Sequence, residues 1–374
     1  MKRIVFVSSN KSEWGGSEFL WYKTALKFSE NNFNVMVSVP RWKTIPDHLQ
    51  ELDRRNIPLK YNTDSPSYKK LFNRLLPASM QFDYRNDGYK SIKKYRPDLT
   101  VINQGGNTGG ADIMEYCIKE GLKFVTISQA ANEAKWPDDK LNKRLSEYFT
   151  RSEMNYFVSK ANLELTQIQT AQDILKTEII FNPFNVSYNV RLPYPDDAEN
   201  YYMANVARHE FYAKGQDILY QVLNEKKWRD RNLKVNLYGK GEHSYQIKKL
   251  KDYFNLDKVI IKGHKDPEEI WKENHALILS SRYEGLPLAL VEAMLCRRVS
   301  IATDVSGNKE VITDGRNGFL AAAPVPSLLD EAMERAWHRR SEWKELGEAA
   351  GKDIREIVPE DPIEYFYKKL KAID

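Results

Sequence analysis

The stretch LILSSRYEGLPLALVEAMLC, residues 277–296, decides how the second half of this chain folds. Ala276 to Leu279 is a short apolar run of the kind that fills the middle of a sheet, and Ser280 to Gly285 is the polar, glycine-containing loop that follows it. Pro287 suits the first turn of a helix, and Leu288, Val291 and Leu295 recur at helical spacing to give one apolar stripe. Glu284 therefore falls in the loop and Glu292 on the helix behind it. A helix that begins at the carboxyl end of a strand offers unpaired N–H groups and the positive end of its dipole, which favours an anion such as a diphosphate. The two glutamates suit a different part of the same ligand, because a carboxylate accepts hydrogen bonds from sugar or ribose hydroxyls. Together they point to a sugar nucleotide. Without a ligand, the same residues read as an exposed glutamate favouring a helix start and a second one on a solvated helix face.

Around this stretch the second half alternates strands with helices. Tyr201 to Val206, Lys234 to Tyr238, Lys258 to Ile261, Ala276 to Leu279 and Val299 to Ala302 read as strands. Directly after the first comes ARHEFYAKG, residues 207–215, which sets Arg208 and Lys214 in one loop. Two cations converging on a diphosphate neutralise the charge that builds on a leaving nucleotide, where a transferase working without a metal needs electrostatic help. A loop with two surface cations is the plainer reading. Gly239, in YGKGE, and His264, in GHKD, occupy two further polar turns after strands.

The first half carries the same alternation, with strands expected at Arg3 to Ser9, Asn34 to Val39, Leu99 to Asn103, Lys123 to Ser128 and Tyr156 to Ser159. Such alternation predicts parallel sheets covered on both faces, with ligand sites beyond the carboxyl ends of the strands. The first of these loops holds Gly15-Gly16-Ser17-Glu18 but no G-x-G-x-x-G fingerprint and no P-loop lysine, which argues against a dinucleotide-binding or P-loop enzyme. Gln129 and the Asn103-Gln104-Gly105-Gly106 turn end two later strands, and Trp136 lies in a charged loop that either lines an acceptor site or packs on itself. Phe181 to Asp197, broken by prolines, reads as a linker. The expected domains are 1–185 and 198–358, with an amphipathic C-terminal helix within 360–374.

Composition sets wide bounds. A chain of 374 residues fits two domains, and no apolar run approaches a membrane span. Met1-Lys2-Arg3 leads straight into a strand, so a signal peptide is not expected and the expected location is cytoplasmic. Cys117 and Cys296 are isolated and read as buried small side chains. A net charge of +5 does not call for nucleic acid. Lys69, Lys70 and Arg74, interleaved with Leu71, Phe72, Leu75 and Leu76 and followed by Lys93, Lys94 and Arg96, form either a face for anionic lipid or a solvated helix face.

Glu284-Gly285-Leu286-Pro287, Glu292-Ala293-Met294, Ala302-Thr303-Asp304, Gly307, Glu310, Asp314-Gly315 and Gly318, taken in order, resemble the C-terminal signature of glycosyltransferase family 4. Arg208 with Lys214-Gly215 resembles that family's Arg and Lys-Gly pair, and Gly15-Gly16-Ser17-Glu18 its first-loop GG-x-E element. The resemblance implies a retaining enzyme of the GT-B fold, two Rossmann-like domains whose parallel sheets face each other across a cleft. The first domain would bind the acceptor, the second a nucleoside-diphosphate sugar, most often of UDP or GDP, and the C-terminal helix would cross back to the first. In those terms Glu284 orients the donor sugar, Glu292 holds ribose, Arg208 and Lys214 stabilise the leaving diphosphate with the backbone of Gly285 to Leu288 and of Gly15 and Gly16, and no metal or cofactor is needed. Gly239 and His264 fall near the nucleotide, and Gln129 and Glu18 near the sugar or acceptor.

The departures are Arg297 and Ser306 where glycines are usual, Val299 where a proline is usual, and the absence near Gln129 of a histidine common in the family. The implied activity is sugar transfer to a glycan or lipid-linked hydroxyl in cell-surface polysaccharide or glycolipid synthesis. A sucrose-synthase-like or phosphorylase-like enzyme and a non-catalytic sugar-nucleotide-binding subunit are the alternatives.

Overall fold

The computed structural model describes residues 2–10, 14–42, 45–62, 77, 89–196 and 199–373. The chain divides into two units, Met1–Pro183 with Asp361–Asp374, and Phe184–Glu360.

The first unit is built on strands β1 (Arg3–Ser8), β2 (Asn34–Val39), β3 (Leu59–Tyr61), β4 (Leu99–Gly106), β5 (Phe124–Ala130), β6 (Met154–Phe157) and β7 (Thr177–Ile179). They pair in parallel in the order 3-2-1-4-5-6-7. Successive residues of β1 serve opposite faces, as the period of two requires. Phe6 packs with Leu20, Trp21 and Phe28 of the helix Phe19–Glu30 and with Phe366 and Leu370 of the helix Pro362–Lys371. Val5 and Val7 pack with Ile113 and Met114 of Ala111–Lys119 and Leu145 and Phe149 of Asp139–Arg151. The C-terminal helix starts at a strong signal: Pro362 follows Asp361, whose carboxylate accepts from Ile363 N and Glu364 N at 2.9 Å each. Its side chains then meet the first helix through a Lys27–Glu364 ion pair and the Phe28 and Tyr367 rings, 4.6 Å apart.

In the second unit β8 (Tyr201–Val206), β9 (Leu233–Tyr238), β10 (Val259–Gly263), β11 (Ala276–Leu279), β12 (Val299–Thr303) and β13 (Gly318–Ala321) form a parallel sheet in the order 10-9-8-11-12-13. Its core joins Val235, Leu237, Ile278 and Ile301 to helix residues such as Leu219, Leu329, Met333 and Trp343. In each unit the chain adds strands to one side of the sheet, then returns to the other, so the order reverses between β1 and β4 and again between β8 and β11. Loops diverge at such a switch point and leave a crevice at the carboxyl ends of the strands.

The expected strands are present with shifted ends, while β3, β7 and β13, of three or four residues each, are additional edge strands. Ser159 caps the helix Lys160–Thr170 instead of ending a strand, its side chain accepting from Asn162 N. Pro287 is likewise the residue before the helix Leu288–Leu295, with ψ 126°, and not within its first turn. Cys117 and Cys296 are both buried and free. Lys69 to Leu76 lie outside the described residues; of the basic residues that follow, Lys93 pairs with Glu120 and Lys94 and Arg96 are exposed. Among the described residues no helix is long and apolar enough to cross a membrane.

The unusual Arg297 is explained by its backbone. It sits at φ +57°, just past the helix Leu288–Leu295, where Arg298 N bonds to Ala293 O at 2.8 Å and Arg297 N to Met294 O at 2.9 Å. This is the helix-ending turn that glycine normally takes. Arg297 adopts it at a cost and recovers a partly exposed pair with Glu348. Arg297→Gly is therefore expected to stabilise the second unit by about 0.5–1 kcal/mol, measured as an upward shift of its urea midpoint.

Candidate active site

Both loops at the second switch point carry candidate residues, and their side chains meet. After β8 the chain passes Arg208 and forms the short helix Phe211–Lys214; after β11 it runs through Ser281 and Glu284. Lys214 Nζ donates to both Glu284 oxygens, at 2.7 and 2.6 Å, and Ser281 Oγ donates to Glu284 Oε1 at 2.7 Å. The pair is largely sheltered, the side chains being 19% and 7% exposed, so the charges are screened less than on an open surface.

Backbone contacts fix the two loops against one another. Gly215, at φ +60°, lies so close to β11 that a Cβ there would be 2.0 Å from Ser280 O, and Arg282 N donates to Ala213 O at 2.8 Å. Arg282 also grips Asp217 through two bonds of 2.8 and 2.7 Å. Ser306, at φ +50°, holds the other side by accepting from Glu284 N at 3.1 Å, a bond that the glycine usual there could not make. Arg208 is about half exposed; its guanidinium donates to Glu210 Oε2 at 2.6 Å and its main-chain oxygen accepts from Gln216 Nε2 at 2.8 Å.

Glu292 lies one helix turn further in and is 4% exposed, so it does not belong to a solvated face. Its Oε1 accepts from Asn185 N at 2.9 Å and Asn185 Nδ2 at 3.0 Å. Burial pushes the Glu292 carboxyl up to about 7, the two Asn185 bonds counteracting it and the charge of Asp266 adding to it. An acid whose folded-state value is raised loses stability as pH climbs from the ordinary carboxylate range to about 7, because the unfolded chain releases its proton first. Glu292→Gln keeps the acceptor and removes the titration. It is expected to flatten that fall and to leave the second unit about 2–3 kcal/mol more stable than the parent at pH 8, with little difference at pH 5, by urea denaturation.

The remaining second-unit candidates are spread around this centre. Gly285, Leu286 and Leu288 are partly exposed at the start of a helix that has no side-chain cap, and Pro287 is buried. Gly239, at φ +136°, presses its backbone on the Arg208 loop, since a Cβ would come within 2.0 Å of Ala207 O. His264 is exposed on the next loop, where Gly263 O accepts from Gly239 N at 2.8 Å. His209, adjacent to Arg208, is buried with Nδ1 on Ser244 Oγ at 2.9 Å and Nε2 without a partner among the described residues, and burial pushes its value down. Sequence reasoning missed Ser281, Ser306 and Asn185 as parts of this site; Asn185 fell within the stretch read as a linker.

In the first unit the switch point is bridged by a different chemistry. Gly15 precedes a short 3-10 turn, Gly16–Glu18, at the carboxyl end of β1. Glu18, expected near the sugar or acceptor, is held inside the unit by neutral donors. It is 0% exposed, and its carboxylate accepts from Asn10 Nδ2 at 3.0 Å, Trp21 Nε1 at 2.8 Å and Asn103 Nδ2 at 3.0 Å. Burial raises its value, and neutral donors satisfy its oxygens. Asn103 Oδ1 accepts in turn from Gln129 Nε2 at 3.1 Å, and Gln129 Oε1 from Asn182 Nδ2 at 2.7 Å. Gln129 is thus a buried link in an amide chain. Trp136 is 59% exposed.

Residues 193–353, most of the second unit, match the family model described as glycosyl transferases group 1. The poly(ribitol-phosphate) alpha-N-acetylglucosaminyltransferase of Staphylococcus aureus (strain COL) is 29% identical over 183 residues, 46% of this chain and 36% of that one. The lipopolysaccharide 1,6-galactosyltransferase of Escherichia coli (strain K12) is 26% identical over 245 residues, 62% of this chain and 63% of that one. The chain therefore matches less than two thirds of the length of either relative. Among solved structures, Anabaena Alr3699/HepE in complex with UDP superimposes with a TM-score of 0.77 at 16% identity over 100% of both chains, and the same protein with UDP-glucose at 0.75. At that identity the likeness shows the fold, which is GT-B: two α/β units, each on a parallel sheet.

Proposed function

We propose that this chain, whose second unit carries the group 1 glycosyltransferase pattern, moves a sugar from a nucleoside-diphosphate sugar to a hydroxyl of a glycan or lipid-linked acceptor. The observation that carries the reading is the meeting of Lys214 and Glu284 at the switch point of the second sheet, with Arg208 open beside them and Glu292 on the helix behind. A ligand with a diphosphate, a sugar and a ribose offers each of these groups a partner of matching chemistry. The names of the similar proteins support the same class: the two enzymes transfer N-acetylglucosamine and galactose, and the Anabaena structures hold UDP and UDP-glucose.

In the proposed course, the diphosphate displaces Glu284 as the partner of Lys214 and takes further donors from Arg208. Glu284, released from the ion pair but still bonded to Ser281, accepts from the donor sugar. The bond between the anomeric carbon and the β-phosphate oxygen breaks as charge collects on the phosphate, where the two cations lower its energy. The acceptor hydroxyl bonds to the same face of the sugar, its proton passes to the departing phosphate, and the configuration is retained. Exposed Lys94 and Arg96 on the first unit support contact with anionic lipid around a lipid-linked acceptor.

The test is a melting screen of the full chain against UDP, GDP, ADP and their sugars, followed by turnover of the donor that binds. A matching nucleotide at a hundred times its dissociation constant stabilises the unit it binds by about 2.7 kcal/mol. UDP or GDP is expected to do so. No shift with any nucleotide would reject the reading, and binding without hydrolysis or transfer of any donor would reject its catalytic part.

A further inference from the structure

Asn185 stands where the chain enters the second unit, and its contacts go beyond what a linker residue needs. Both its main-chain N–H and its side-chain amide converge on one oxygen of Glu292, at 2.9 and 3.0 Å. The segment around it is pinned as well. Ser187 N donates to Glu268 Oε1 at 3.2 Å, Tyr188 Oη donates to Arg355 O at 2.8 Å, and Arg355 Nε returns a bond to Tyr188 O at 3.0 Å. Asn185 is thus held at a fixed place over the carboxylate.

We infer that Asn185 is a positioning residue for nucleotide binding: its two donors occupy Glu292 Oε1 and turn the carboxylate so that Oε2 is left for the ribose hydroxyls. The inference rests on the reading of Glu292 as the ribose-binding group. Its physical basis is the scarcity of other help for that carboxylate. The acid Asp266 lies near it at the start of the helix Pro267–Glu273, Glu268 is on that same helix, and Cys296 on its own helix is a buried thiol. Hydrogen bonds to the charged form are what oppose these and the burial. An aspartate at position 185 would remove one donor and set a second acid against Oε1, in almost the same volume.

The experiment measures UDP affinity of the full chain by calorimetry from pH 6 to pH 9 for the parent, Asn185→Ala, Asn185→Asp and Glu292→Gln, each checked for a cooperative melt. A neutral Glu292 loses hold of the hydroxyls, so parent affinity falls as pH drops, and both Asn185 variants are expected to move that fall upward. With a displacement of about one pH unit, Asn185→Asp binds about fivefold more weakly than the parent at pH 7 and about equally at pH 9, while Glu292→Gln shows a flat profile. Superimposable profiles for the parent and both Asn185 variants, beside a flat Glu292→Gln, would overturn the inference and leave the ribose reading standing. Parent-like affinity and profile in Glu292→Gln would instead remove the ribose reading. The ligand-free carbon-13 titration of the Glu292 carboxyl then decides positioning on its own, upward movement in Asn185→Asp supporting it and an unmoved curve rejecting it.

Discussion

Lys214→Ala is expected to lower sugar transfer by about two to three powers of ten, mostly in kcat, while the second unit remains folded. Lys214 Nζ bridges both oxygens of Glu284, and the turn that delivers it is locked by Gly215 against Ser280. A cation held at that sheltered place loses little freedom on meeting a diphosphate, and its attraction grows as charge moves onto the leaving group. Binding of ground-state donor depends on Arg208 and Glu292 as well, so affinity for nucleotide should change less than turnover. Removing Lys214 also leaves Glu284 partly buried without its cation, which is expected to destabilise the unit by about 1–3 kcal/mol. The two effects separate experimentally: single-turnover rates at saturating donor report the first, and a urea titration the second. Turnover at the parent rate would show that Lys214 has only a structural role.

Arg298→Met is expected to cost the second unit about 3–5 kcal/mol, the largest stability effect at a single position in this account. Arg298 is 1% exposed, and its guanidinium is satisfied by the main-chain carbonyls of Trp271, Asn274, Cys296 and Pro193, at distances from 2.6 to 3.0 Å. Burial pushes its value down. These carbonyls belong to the end of the helix Pro267–Glu273, the turn after Leu288–Leu295, and the segment that precedes β8. One side chain therefore ties three pieces of chain together behind the candidate site. Methionine fills much of the volume but donates nothing, and the carbonyls would be left buried without partners. Lysine, with three donors on a point charge, cannot reproduce the fork and is expected to restore only part of the loss. A urea midpoint for Arg298→Met corresponding to a loss below about 1 kcal/mol would refute this account of the residue.

The parts of the molecule that were legible from sequence share a physical cause. Central strands such as β1 and β11 are buried on both faces and so appear as apolar runs, which need no partner to be recognised. The edge strands β3, β7 and β13 are too short to carry a period. Arg297 drew notice because a glycine is usual there, and its positive φ supplies the reason. Its neighbour Arg298 gives no such signal, because nothing local announces that a side chain will find the carbonyls of Trp271, Asn274 and Pro193. The burial of Glu18 was hidden for a related reason: Trp21 is close in sequence, but Asn103 becomes its neighbour only when β1 and β4 pair. Ser281 and Ser306 are small polar residues in loops, and only the backbone geometry around Glu284 gives them a task.

The most direct measurement is a crystal structure of the full chain with bound UDP. The diphosphate is expected between Lys214 Nζ and the Arg208 guanidinium, the ribose hydroxyls within hydrogen-bond distance of Glu292, and Glu284 released from Lys214. UDP bound elsewhere on the second unit, with the Lys214–Glu284 pair intact and Arg208 directed away, would contradict this expectation.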